Sequence, residues 1–164
     1  AKEIDYNTDE GKAVAERFNL NLMPAYILDE NIIKNSNFEN FQQAFFKKNS
    51  SYILSDDAAG SAFYLRRENM PNRLDFFVKE NDITSSNAEK NLKEFLGNFK
   101  EAKFEKHKST ESLAKELNIK SFPTFLVNNR VKFTGVQPAE TIKQNFCKLN
   151  KVPECEKSLS KSLV

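Results

Sequence analysis

Tryptophan is absent from this 164-residue chain, histidine occurs once, cysteine twice and glycine four times. A lone histidine, His107, argues against a histidine-based metal centre, which draws on several such ligands, and neither a metal nor a cofactor is expected. No apolar run approaches the ~20 residues that a membrane helix needs, so no membrane insertion is expected. Charge of one sign is also missing. The 25 basic and 23 acidic residues interleave to a net +2, which gives no electrostatic case for nucleic acid. The chain opens on Ala1 rather than methionine, so a processed or excised polypeptide is expected, with any targeting segment outside it.

Phenylalanine is abundant, at 15 residues. Each buries a large apolar area, so these rings are expected to fill a small core. Hydrophobic residues at 39% and charged residues at 29% suit a soluble globular protein. The length allows one ordinary domain or two very small ones. Cys147 and Cys155 flank a proline in FCKLNKVPECEK. They either remain two free thiols or form one disulfide. The disulfide is the expectation, tying the tail to the last helix and implying an extracytoplasmic location, periplasmic or secreted. Their spacing is not C-x-x-C, and redox catalysis by this pair is not expected.

Along the chain, KEIDY reads as a short strand and TDEGKAVAERFNL as a helix capped by Thr8. AYILDENIIKN reads as a hairpin turning at Asp29-Glu30-Asn31, and NFENFQQAFFKK as an amphipathic helix with Phe38, Phe41 and Phe45 on one face. Tyr52–Leu54 and Ala62–Leu65 are β-like runs around a small-residue turn, within a connector. Arg66 and Arg67 read as a solvated pair, and Asn49-Ser50-Ser51 fits the N-glycosylation triplet. RLDFFV is a strand by residue type. SSNAEKNLKEFLGNF is a helix capped by Ser85 or Ser86, AKFEKHK a half-exposed strand, and STESLAKELNI a helix with a capping box at Ser109 or Thr110. SFPTFLVNNRVKFTG is a hairpin turning at Asn128-Asn129, and QPAETIKQNFCKLN a helix with Pro138 in its first turn. KSLSKSLV reads as a frayed tail. The order from Arg73 onward, β-α-β-α-β-β-α, predicts an α/β fold whose mixed sheet is flanked by helices.

An internal repeat accompanies this order. With Pro24 set over Pro123, Ala15 falls on Ala114, Phe18 on Leu117, Asn19 on Asn118 and Leu20 on Ile119. Tyr26, Ile27 and Leu28 then fall on Phe125, Leu126 and Val127. One register spans a helix, a loop, a proline and a strand, which reads as two copies of one supersecondary unit.

The short helix ending LNIKSFPT, with its proline at the mouth of a hairpin, resembles the thioredoxin-like superfamily. The resemblance is strong over 73–149 and weaker over 2–48. It implies a thioredoxin-like mixed sheet, with a partial unit at 1–50, a connector at 51–72, a full domain at 73–152 and a tail at 153–164. It also implies that Pro123, after Phe122, is cis and lies beside the redox site, with Met23 and Pro24 as the counterparts. In that family the residue before the proline offers backbone hydrogen bonds to an extended polypeptide.

The family's C-x-x-C follows the strand before the long helix, where the helix N-terminus stabilises a thiolate. Here Asp82-Ile83-Thr84-Ser85 stands in that place, and Asp82 and Ser85 replace the cysteines. A serine nucleophile needs an adjacent base, and His107 lies on another strand without a recognisable partner. Asp82, Thr84 and Ser85 therefore read as helix caps, and no catalytic residue is assigned. The first unit lacks the strand and helix that would carry a C-x-x-C.

The expectation is a non-catalytic polypeptide-binding or structural module. Its candidate surface is Met23, Pro24, Phe122, Pro123, Thr124 and the loop Asp82, Ile83, Thr84, Ser85. Its expected partners are a polypeptide or other domains of the same protein, or a second copy in a homodimer. The alternative is the C-terminal part of a larger thiol-disulfide oxidoreductase whose cysteines lie upstream.

Overall fold

A computed structural model describes residues 2–163. The chain divides into two compact units, the first ending at Arg66 and the second starting at Arg67.

In the first unit KEIDY forms no strand; residues 2–5 are irregular and lead into a turn. Helix α1 (Asp9–Arg17) follows, with Thr8 as its cap: the hydroxyl accepts the Gly11 N–H, and Asp9 and Glu10 fill the first turn. Gly11 is required for space. A Cβ there would sit 2.1 Å from the Asp5 carbonyl oxygen, where the N-terminal segment lies against the helix. After α1 come β1 (Leu22–Met23) and β2 (Ile27–Asp29).

The expected hairpin at Asp29-Glu30-Asn31 does not form. The Asp29 carboxylate accepts the Asn31 N–H and starts a 3-10 helix over Glu30–Lys34, an Asx cap winning over a reversal. The expected amphipathic helix is likewise cut short. Helix α2 (Phe38–Phe41) and a 3-10 turn, Gln42–Ala44, give way to β3 (Phe45–Lys48). Aromatic packing accounts for the switch: the Phe38 ring lies 5.8 Å from that of Phe45 and 5.3 Å from that of Tyr52. Strand β3 turns at Asn49, in the left-handed region, into β4 (Ser51–Leu54), which runs antiparallel to both β2 and β3. Helix α3 (Asp56–Ala59) ends at a left-handed Gly60, and β5 (Phe63–Tyr64) pairs with β1. Residues 51–64 are thus structural members of the first unit rather than a connector. The core here is Ala15, Phe18, Leu20, Ile53 and Leu65.

The second unit follows the expected order. It contains β6 (Arg73–Val78), α4 (Ile83–Asn98), β7 (Lys103–Lys108), α5 (Ser112–Glu116), β8 (Thr124–Val127), β9 (Val131–Thr134) and α6 (Ala139–Cys147). The four strands lie in the order β9-β8-β6-β7, with β6 and β7 parallel and the other pairs antiparallel. This is a mixed α/β sheet flanked by helices. The α4–β7 crossover makes the parallel pair possible.

Alternation along β6 sends Leu74, Phe76 and Val78 to one face. There they pack with Leu92 and Phe95 of α4 and Ile142 and Phe146 of α6. The residues taken as a frayed tail close this core. Leu159 is buried in it, its N–H donates to Glu140, and the Ser160 carbonyl accepts the Glu140 N–H. The Cys147–Cys155 disulfide forms, tying α6 to a 3-10 turn over Pro153–Glu156. Arg67 is not a solvated side chain either: its guanidinium donates to Asn129 and to Glu116.

Candidate functional site

The N-terminus of α4 stands where a redox motif was sought. Its cap is Asp82, rather than Ser85 or Ser86. One oxygen of the Asp82 carboxylate accepts the Thr84 hydroxyl at 2.5 Å, the Ser85 N–H at 2.7 Å and the Ser85 hydroxyl at 2.7 Å. These bonds, the Thr84 hydroxyl first, hold the Asp82 carboxyl down to about 2. Ser85 is buried, and its oxygen also accepts the Lys79 N–H. Its hydroxyl proton is therefore committed to Asp82. Ile83 is the exposed member of the loop, 75% accessible.

The Phe122-Pro123 loop lies at the same end of the sheet. Thr124 pairs with Phe77, near the end of β6, and the Asp82 loop begins a few residues beyond Val78. The Phe122–Pro123 bond is cis. Pro123 and Thr124 are buried and Phe122 is half-buried. The Thr124 hydroxyl donates to the Ser121 carbonyl, and the Pro123 carbonyl accepts the Gly135 N–H. Thr124 thus belongs to the interior, which corrects its place in the candidate surface. Phe122 differs: among the described residues, neither its backbone N–H nor its carbonyl takes part in a hydrogen bond.

In the first unit the Met23–Pro24 bond is also cis. Met23 is half-buried and Pro24 exposed. The Met23 carbonyl accepts the Ala62 N–H, and the Pro24 carbonyl accepts the Ser61 hydroxyl. The two prolines share their approach. Asn19 and Asn118 are both left-handed, at φ 48 and 50. The Leu20 N–H donates to the Ala15 carbonyl as the Ile119 N–H does to that of Ala114.

The second unit also holds a polar cluster that the sequence reading missed. His107, expected to lack a partner, has two. Its Nε2 lies 2.8 Å from Asp75 Oδ1 and its Nδ1 lies 3.1 Å from Glu111 Oε2. Its ring stacks on Phe77. A ring that donates to both carboxylates carries both of its protons. Arg73 grips Asp75 through two nitrogens, at 2.7 and 2.8 Å, and reaches Glu105. This pairing with Asp75 raises the already high Arg73 value further. The Lys108 N–H, and then His107, hold the Glu111 carboxyl below its ordinary value.

Asp75, Glu105 and His107 place their ligand atoms within 4.8 Å of one another. The cation that meets both carboxylates is the Arg73 guanidinium, so a metal would have to displace it. The signal in the sequence was an aspartate inside the apolar run of RLDFFV. Arg73 and Asp75 share a strand face, and Glu105 and His107 stand beside Asp75 and Phe77 in register.

No helix among the described residues is long and apolar enough to cross a membrane. No protein-family model matches the chain, and neither a curated protein nor a solved structure matches it.

Proposed function

We propose that the chain is a thioredoxin-like module without redox chemistry, which holds an extended polypeptide against the Phe122 loop and the start of α4. One observation carries the reading. Phe122 keeps its backbone donor and acceptor free at the sheet end where the α4 N-terminus also lies. An extended segment laid there gains main-chain hydrogen bonds from Phe122 and apolar contact from the exposed Ile83. Asp82 and Ser85 serve the helix rather than a substrate, since each is bonded to the other. The shared proline approach in the two units supports their descent from one repeated unit, the first of them partial. The Cys147–Cys155 disulfide supports an oxidising compartment, periplasmic or secreted.

The test uses a defined unfolded client, reduced and carboxymethylated lactalbumin. A photo-cross-linking residue in place of Ile83 is expected to capture the client. Phe122→Gly is expected to weaken binding about fivefold, the loss of an apolar anchor costing roughly 1 kcal/mol. The protein is expected to leave insulin reduction by dithiothreitol at its uncatalysed rate. Capture failing at Ile83, or accelerated insulin reduction, would overturn the reading.

A further inference from the structure

In the second unit β8 is flanked on both sides, by β9 and by β6, and β6 is flanked in turn by β7. The first unit holds counterparts of most of this. Its β2 corresponds to β8 in the 99-residue register of the two prolines, and α1 corresponds to α5. The segment before α1 stands in the place of β7. What corresponds to β6 is missing among the described residues, and a groove of about 350 Å³ lies there.

The groove is lined by Ile4 and Tyr6 from the N-terminal segment and by Ala25 and Ile27 at β2. Val14 and Phe18 close it from the α1 side. Tyr6, Val14, Ala25 and Ile27 are only partly buried against the core of this unit. Ile4 is 39% accessible. The close fit of Asp5 and Tyr6 over Gly11 fixes the N-terminal wall.

The backbone of β2 points the same way. The Tyr26 carbonyl accepts the Leu54 N–H, and Ile27 stands opposite Ile53. Bonded residues alternate in an antiparallel ladder. Residues 26 and 28 therefore bond to β4, while the Ile27 N–H and carbonyl face the open edge. Among the described residues nothing bonds to them.

We propose that this groove is a strand-acceptor site, filled by an extended segment of a separate polypeptide with apolar side chains at alternate positions. The segment runs antiparallel to β2, as β6 runs antiparallel to β8. Strand β6 supplies the pattern, with Leu74, Phe76 and Val78 turned into the core. Addition of a strand to a free edge takes its affinity from main-chain bonds and its selectivity from alternate side chains. A second copy of this chain fits less well. It would bring its own β2, which is already walled by its own residues 2–6. The site is separate from the Phe122 loop, and its occupancy does not depend on that loop.

The probe is a fluorescent synthetic peptide with the β6 sequence Arg-Leu-Asp-Phe-Phe-Val-Lys, added to the full chain. Saturable binding is expected, with hydrogen exchange at the Ile27 amide slowed at least tenfold. A peptide with proline at the first phenylalanine is expected to bind at least tenfold more weakly, since proline cannot donate to the ladder. Ala25→Glu is expected to weaken binding similarly, and the proline peptide keeps the test valid should that variant fold poorly. No binding, or equal binding of the proline peptide, overturns the proposal. Protection at Phe122 with none at Ile27 overturns it too, while leaving the Phe122 reading in place. Concentration-dependent self-association that protects Ile27 without peptide assigns the groove to a second copy and overturns it as well.

Discussion

Strand β8 and strand β2 follow the same kind of approach, a left-handed asparagine and a cis proline, yet they end in different surroundings. All four residues of β8 are buried; in β2 Ile27 and Leu28 are half-buried and Asp29 is exposed. Thirteen buried apolar residues form the main core of the second unit, whereas five form that of the first. The difference follows from neighbours rather than from the strand itself. Strand β8 has a partner on each side and the α4 and α6 layer over it, while β2 has β4 alone among the described residues. A strand's own apolar residues are not enough to bury it. Burial depends on what the rest of the chain brings alongside.

The largest expected effect comes from cutting into the better-filled core. Phe76→Ala should cost about 3–5 kcal/mol, because the ring is fully enclosed and its site cannot collapse. Ile53→Ala, at the centre of the half-open core, should cost about 2 kcal/mol. Guanidinium melts measure both. Equal losses would mean that the two cores are equally well packed and that the contrast fails. Native-state hydrogen exchange should also show the β2–β4–β3 amides opening before those of β6 and β8.

Next is the disulfide, which has no equivalent in the first unit. Cys155→Ser should cost about 2–3 kcal/mol through the freed loop and speed exchange around Leu159. Unchanged protection there would show that Glu140 and its bonds to Leu159 and Ser160 hold the tail unaided. His107→Phe should cost about 1–2 kcal/mol. The stack on Phe77 survives, but Asp75 and Glu111 each lose a donor while keeping Arg73 and the Lys108 N–H. A melt that does not move would show that the imidazole only fills space.

These contrasts explain what the sequence could and could not reveal. RLDFFV, the hairpin turning at Asn128-Asn129 and the order of elements from Arg73 onward were legible because each carries its own periodicity or turn chemistry. The first unit was harder. DENIIKN has the composition of a hairpin, but the Asp29 side chain caps a 3-10 turn instead, and the partner of β2 comes from residues 51–54. Pairing at that separation leaves no local signature. The frayed look of KSLSKSLV came from its lysines and serines, whereas Leu159 alone decides where the segment packs. Asp82 was placed correctly in the cap, but the burial of Thr124 and the two partners of His107 depend on strand register, which no single segment carries.

The smallest effect is the most specific to the α4 start. The Asp82 carboxyl is held at about 2 in the folded chain, against nearly 4 in an unfolded one. A carboxyl depressed on folding favours the fold at pH values above its unfolded value. That contribution is lost as the pH falls from about 4 to about 2. The Asp82→Ala variant should therefore melt a few degrees below the parent at pH 6, the loss of one helix cap. The gap should close by pH 2, where the parent carboxyl is itself protonating. The cap of α1 supplies the contrast within the same molecule. Thr8 caps with a hydroxyl that does not titrate over this range, so Thr8→Ala should open a gap that the Thr8 cap itself leaves unchanged between pH 6 and pH 2. Melting curves of the three proteins at the two pH values separate the cases. A gap at Asp82 that persists to pH 2 would mean that its three hydrogen bonds do not depend on the carboxylate charge.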